Sequence, residues 1–115
     1  MGRDAGVVRV RIRLGPDGSI RRVDAEGHAG TEAAGSNPAC AAVTVLLRTA
    51  YETLAGYPGV DVTGEAPAPG SLSFNVKKVD AAVAEKARGV GDFLLTGLSS
   101  VEREYPGRVH VELLS

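Results

Sequence analysis

Residues 27–47 read GHAGTEAAGSNPACAAVTVLL, a strand end, a loop of small residues and a helix start in one continuous run. The chain leaves a strand at Gly27-His28 and crosses residues 28–37, which carry no large apolar side chain to hold them down. Gly30 and Gly35 add backbone freedom there. A loop of this length costs order without gaining burial; it is either a surface connection or a functional segment. Asn37 then has the character of a helix N-cap, and Pro38 suits the first helical position, where a missing N–H costs nothing. From Ala39 to about Ala55 the apolar residues Val43, Leu46, Leu47, Ala50 and Leu54 recur at helical spacing. One of the two histidines opens the stretch, and the single cysteine, Cys40, stands at the helix start.

Upstream, Val8, Val10, Ile12 and Leu14 alternate with Arg9, Arg11 and Arg13, the period of a strand with one wet face. Gly15-Pro16-Asp17-Gly18 is a turn: Pro presets φ and Gly accepts φ > 0. In the second strand Val23, Ala25 and Gly27 share one face, and Arg22, Asp24, Glu26 and His28 the other. Ile20 is out of phase with that set, which predicts a bulge or a late strand start. The two strands read as a hairpin.

Downstream, Gly56 stops the helix, Tyr57-Pro58-Gly59 turns the chain, and Val60 and Val62 mark a short strand before the Pro/Gly-rich residues 64–70. Leu72, Phe74 and Val76 alternate with Ser73, Asn75 and Lys77 in a clearer strand. Asp80 is the expected cap of a second long helix, with Val83, Ala87, Val90, Leu94, Leu98, Val101 and Tyr105 as its apolar stripe. Gly89, Gly91 and Gly97 weaken that helix locally and permit close packing or a kink. Pro106-Gly107 ends it, and Val109, Val111 and Leu113 alternate with Arg108, His110 and Glu112 in a last strand. The order ββαββαβ predicts an α/β fold of the α+β type: a two-layer sandwich spanning residues 1–115 as one domain. Its sheet is mixed and mostly antiparallel, with both helices on one face.

The bulk numbers narrow the function. At 115 residues the chain supports one modest core, and 43% hydrophobic but only 4% aromatic residues make that core Val, Leu and Ala. A net charge of -1 argues against general affinity for nucleic acid or an anionic membrane. One cysteine makes no internal disulfide and suits a reducing compartment. The N-terminal residues lack the apolar run of a signal peptide or membrane span, so a cytoplasmic protein is expected.

Cys40 would be the third residue of its helix, where free N–H groups and the helix dipole favour a thiolate, the nucleophilic form. An imidazole nearby would deprotonate it and later protonate a leaving amine, and His28 lies twelve positions back at a strand end. The residues alone leave the alternative open that Cys40 is a small buried hydrophobe. His110, between Arg108 and Glu112, reads as a solvated strand residue, and two histidines and one cysteine make no zinc pattern. Ser99 and Ser100 have no histidine or acid at a catalytic spacing. Gly89-Val90-Gly91 lies inside a helical pattern and is no phosphate loop. Arg9, Arg11 and Arg13, with Arg21, form the best basic strip, which reads as a solvated face in preference to an RNA site.

Gly27-His28-Ala29, then Gly35, then Cys40-Ala41-Ala42-Val43-Thr44 resembles the signature of the ribosomal-processing cysteine protease family Prp, and the likeness runs along the chain to Tyr105-Pro106 before the last strand. That family pattern is Gly-His-Ala, a flexible loop holding a Gly, then Asp-x-x-Cys-Ala-Ala/Gly-Val-Ser. The resemblance implies a cytoplasmic homodimer, needing no cofactor or metal, that removes the N-terminal extension of a large-subunit ribosomal protein. It implies Cys40 as nucleophile and His28 as base. Ala29, Gly30, Gly35 and Ser36 would belong to a flexible substrate loop, and the N–H groups of Ala39, Cys40 and Ala41 would meet the oxyanion. Its implied partner is the N-terminal segment of that ribosomal protein, with neither membrane nor nucleic acid bound directly.

The sequence departs from the family pattern in three places. Asn37 stands in place of Asp; it keeps the capping oxygen but brings no charge to orient an imidazolium. Pro38-Ala39 replaces a bulkier apolar pair, and Thr44 replaces Ser while keeping the hydroxyl. The Asn37 departure and the arginine strip define the alternative function, a non-catalytic ribosome-associated binding module on the same fold.

Overall fold

The computed structural model describes residues 7–27, 38–65 and 71–115. Its first hairpin follows from alternation. In β1 (Val8–Leu14) the buried side chains are Val8, Val10 and Ile12, with Arg9, Arg11 and Arg13 exposed between them. β2 (Ile20–Glu26) pairs antiparallel with it. Asp17 closes the connecting turn by accepting hydrogen bonds from the Ser19 backbone N–H and hydroxyl at 3.1 and 2.6 Å. The register slips between Arg13 and Leu14, so that Arg13 faces Arg22 while Leu14 faces Ile20. Arg21 is the extra residue of a bulge, and it returns Ile20 to the buried face. β2 ends at Glu26, short of the Gly27-His28 end that the pattern predicts. Gly27 has φ +89 and turns the chain away, with space for a Cβ blocked by the Val7 carbonyl oxygen at 2.8 Å.

α1 (Pro38–Ala55) buries Ala39, Val43, Leu47, Ala50 and Leu54. β3 (Val60–Glu65) and β4 (Ser71–Val79) follow as an antiparallel pair. Gly59, at φ +90, allows the turn into β3. Asp80 does not cap the second long helix. It precedes a 3₁₀ turn (Ala81–Val83) and makes no side-chain capping bond; its carboxylate lies 3.9 Å from Lys78 Nζ. α2 (Ala84–Glu104) begins only after that turn and buries Gly91, Leu94, Leu98 and Val101. β5 (Val109–Leu114) then returns parallel to β1.

The element order is ββαββαβ and the sheet order β3-β4-β2-β1-β5, with one parallel pair. Two helices cover the face bearing Val10, Ile12, Val23 and Phe74, and the arginines of β1 stand on the other. Packing is close where glycine permits it: a Cβ on Gly91 would meet Ile20 of β2 at 3.2 Å, and one on Gly97 would meet Leu46 of α1 at 2.9 Å. Gly91 brings α2 onto the sheet and Gly97 brings it against α1. Of the predicted α2 stripe Leu94, Leu98 and Val101 are buried, while Val83 falls in the preceding 3₁₀ turn and Tyr105 follows the helix end. The alternation in β5 fades toward the edge: Val109 is buried but Leu113 is 55% exposed, since beyond β5 no described strand shields it.

Candidate active site around Cys40

Cys40 is the third residue of α1, half-buried and packed against the core. Ala39 beside it is almost fully buried, which fixes the first turn to the core, while Ala41 is exposed. The opening N–H groups of a helix have no partner within it, and no acidic side chain stands in this first turn. A half-buried thiol at such a position sits in the positive field of the helix and retains access from solvent.

At 100° per residue, Cys40, Thr44 and Tyr51 share one flank of α1. The Tyr51 ring shows where that flank points: it packs on Phe74 with centroids 5.9 Å apart, and its Cε1 is 2.7 Å from where a Cβ of Gly64 would stand. Leu46, on the opposite flank, meets Gly97 of α2. Cys40 therefore occupies the side of α1 turned toward β3 and β4. His28, Asn37 and the loop positions Ala29, Gly30, Gly35 and Ser36 lie outside the described residues.

The remaining sequence candidates fall into place as follows. His110 is exposed and shares a basin of about 400 Å³ on the open sheet face with Arg9, Arg11, Asp24, Glu26 and Glu112. Ser99 accepts a hydrogen bond from Arg103 Nη1 at 3.2 Å on the outside of α2. The arginine strip is interleaved with acids: Arg11 lies 3.5 Å from Glu112, and Arg22 binds both oxygens of Asp24 at 2.9 Å. Among the described residues no cluster of three His, Cys, Asp or Glu could hold a metal. No helix there is long and apolar enough to cross a membrane.

One feature escaped the sequence reading. Between α1 and α2 runs an apolar groove of about 550 Å³, floored by Ala50 and Leu94 and rimmed by Val45 and Phe93, which are 52% and 72% exposed. Lys86 is its only charged lining residue, placed 5.4 Å above the Tyr57 ring. Phe93 is off the helical stripe, and that was its only visible signal.

Residues 7–110 match the sequence model of the family described as cysteine protease Prp. No curated protein matches the chain. The fold is similar to that of an essential ribosomal processing protease Prp from S. aureus, solved with a covalently linked product peptide. There the TM-score is 0.76 at 19% identity, over 93% of this chain and 99% of that one. A Streptococcus mutans protein is similar at TM-score 0.80 and 21% identity, over 99% of this chain and 98% of the other.

Proposed function

We infer the function from one premise: this chain belongs to the cysteine protease Prp family. The reaction class is therefore peptide-bond hydrolysis through a thiol. In our reading Cys40 is the nucleophile and His28 its base, and what carries this is the place of Cys40 in the first turn of α1. The thiolate Sγ attacks the scissile carbonyl carbon, and the C=O electrons move onto oxygen. In this reading N–H groups of Ala39, Cys40 and Ala41 stabilise that oxyanion. His28 passes its proton to the leaving amine as the C–N bond breaks, leaving a thioester on Cys40. Water, deprotonated by His28, then attacks the thioester, and the thiolate departs.

The substrate in this reading is the N-terminal extension of a large-subunit ribosomal protein, cut by a homodimer in the cytoplasm. The S. aureus relative, described as a ribosomal processing protease, supports that choice, and a lone thiol suits a reducing compartment. Residues 28–37, outside the described residues, are in this reading the segment that admits the peptide.

The test is incubation of the protein with the organism's own ribosomal precursor, wild type against Cys40→Ala, followed by mass spectrometry. Cleavage at one site that vanishes in the variant is expected, and no Cys40-dependent cleavage would overturn the reading. Iodoacetamide labelling supplies a second measure. Its rate at Cys40 should stay high well below the free-thiol pKa of about 8.5 and fall in His28→Ala. Sedimentation velocity tests the dimer.

A further inference from the structure

We propose that β3 is a substrate-docking edge, along which an extended peptide pairs as a sixth strand on its way to Cys40. The proposal rests on the protease reading and names how that site holds its substrate.

Among the described residues the sheet order makes β3 and β5 the two edges. An edge strand turns every second N–H and C=O outward, ready to pair with another chain. Folded proteins commonly blunt such edges with lysine or proline. The β3 sequence VDVTGE has neither. The active-site helix distinguishes the two edges. Cys40, Thr44 and Tyr51 face the β3 side of the molecule, with the Tyr51 ring seated over Gly64, whereas β5 lies beyond β1 at the far side. β3 also runs toward the end of the sheet from which α1 starts, because its last residues pair with Phe74 and Ser73 of β4, which in turn face Val23 and Asp24 of β2.

The chemistry of the edge defines the peptide. Side chains of a paired strand alternate between two faces. On the helix side the peptide would lie beside Val62 and the Tyr51 ring that fills the space over Gly64, an apolar surface that suits an apolar side chain. On the open side it would lie beside Asp61, Thr63 and Glu65, all exposed, where lysine or arginine is the complement. The occupant is thus an extended segment alternating apolar and basic residues. A ribosomal protein that sits against RNA phosphates supplies basic residues readily.

Length sets the register. Eleven helix residues separate Tyr51 from Cys40, roughly 16 Å along the axis. An extended chain covers that in about five residues at roughly 3.3 Å each. The docked segment therefore starts four to five residues from the scissile bond.

The experiment uses the full chain and a synthetic peptide spanning the precursor's cleavage junction. Single backbone N-methylations beyond the fifth residue should raise KM at least tenfold at every second position and leave kcat unchanged. Glu65→Lys should raise KM several-fold while iodoacetamide labelling of Cys40 keeps its wild-type rate. In parallel, hydrogen exchange on Cys40→Ala saturated with the same peptide should protect the outward amides of Val60–Glu65. Cleavage without β3 protection or a period-two KM pattern overturns the docking edge and leaves the protease standing. Protection of β3 without cleavage by wild type upholds the edge and overturns the protease. Neither protection nor cleavage overturns both.

Discussion

Gly64 and Gly89 are both glycines on exposed backbone, yet alanine should act oppositely at the two. At Gly64 a Cβ would stand 2.7 Å from the Tyr51 ring, a rigid group itself pinned against Phe74. Gly64→Ala should cost roughly 1–3 kcal/mol through that overpacking. At Gly89 nothing lies within 4 Å of the added methyl, and the position is helical. Gly89→Ala should therefore stabilise by about 0.5–1 kcal/mol, from helix propensity and a less free unfolded chain. Urea unfolding of the two variants checks both signs. The turn at Asp17 offers a titration. The hydrogen bonds it accepts from the Ser19 hydroxyl and backbone N–H hold its carboxyl below the usual range of an aspartate. A lowered folded pKa means that this turn's stabilisation is present above the unfolded value and is lost as pH falls through the folded one. Ser19→Ala should move the Asp17 carboxyl back up, as read by NMR titration. The sequence flagged Gly89, Gly91 and Gly97 together as weak points in α2. Only the neighbours, which no local pattern carries, separate the open site at Gly89 from Gly91, which packs on β2, and Gly97, which packs on α1.

Between elements, the contact of β2 with α2 depends on two residues far apart in the chain, Ile20 and Gly91. A Cβ at Gly91 would meet Ile20 Cγ1 at 3.2 Å and Cδ1 at 3.3 Å, and Ile20 is buried. Gly91→Ala alone should destabilise, and Ile20→Val alone should cost about 0.5–1.5 kcal/mol for the lost methyl. Combined, the valine vacates the Cδ1 position, so the double variant should be more stable than the sum of the singles predicts. A coupling of about 0.5 kcal/mol or more in a denaturant double-mutant cycle is expected, and strict additivity would mean the layers do not touch there. The alternation of β1 and the helical spacing of α1 were legible because burial on one face writes itself into a local period. The phase error at Ile20 was legible for the same reason, and it is the Arg21 bulge. The parallel seat of β5 beside β1 was not, since strand partnership across about a hundred residues leaves no period. At the site, the placement of Cys40 in a first helical turn could be read from Pro38 and the apolar spacing. The flank it occupies could not, because it depends on Tyr51 meeting Gly64.

Across the whole molecule the sheet has two unlike faces, and the open one decides whether a chain with three arginines in one strand behaves as a nucleic-acid binder. The register sets Arg11 between Asp24 and Glu112, and Arg9 between Glu26 and His110. Arg11 is thus flanked by two carboxylates and Arg9 by one, while Arg13 faces Arg22, and Asp24 is further tied to Arg22 by two hydrogen bonds. A polyanion approaching this face meets alternating signs at separations well inside the Debye length of about 8–10 Å, so its attraction is largely cancelled. Wild type should therefore leave a heparin column at low salt. The substitutions Asp24→Asn, Glu26→Gln and Glu112→Gln keep the shapes and remove three negative charges, taking the net charge from -1 to +2. These are exposed pairs, worth roughly 0–1 kcal/mol each, so the triple variant should stay folded with a modest drop in Tm. Its elution should move to markedly higher salt, and its RNA affinity should acquire a steeper dependence on salt concentration as released counterions drive binding. Unchanged elution in a folded triple variant would show that interleaved acids are not what keeps the face silent. Tight RNA binding by wild type would put the ribosome-binding module ahead of the protease.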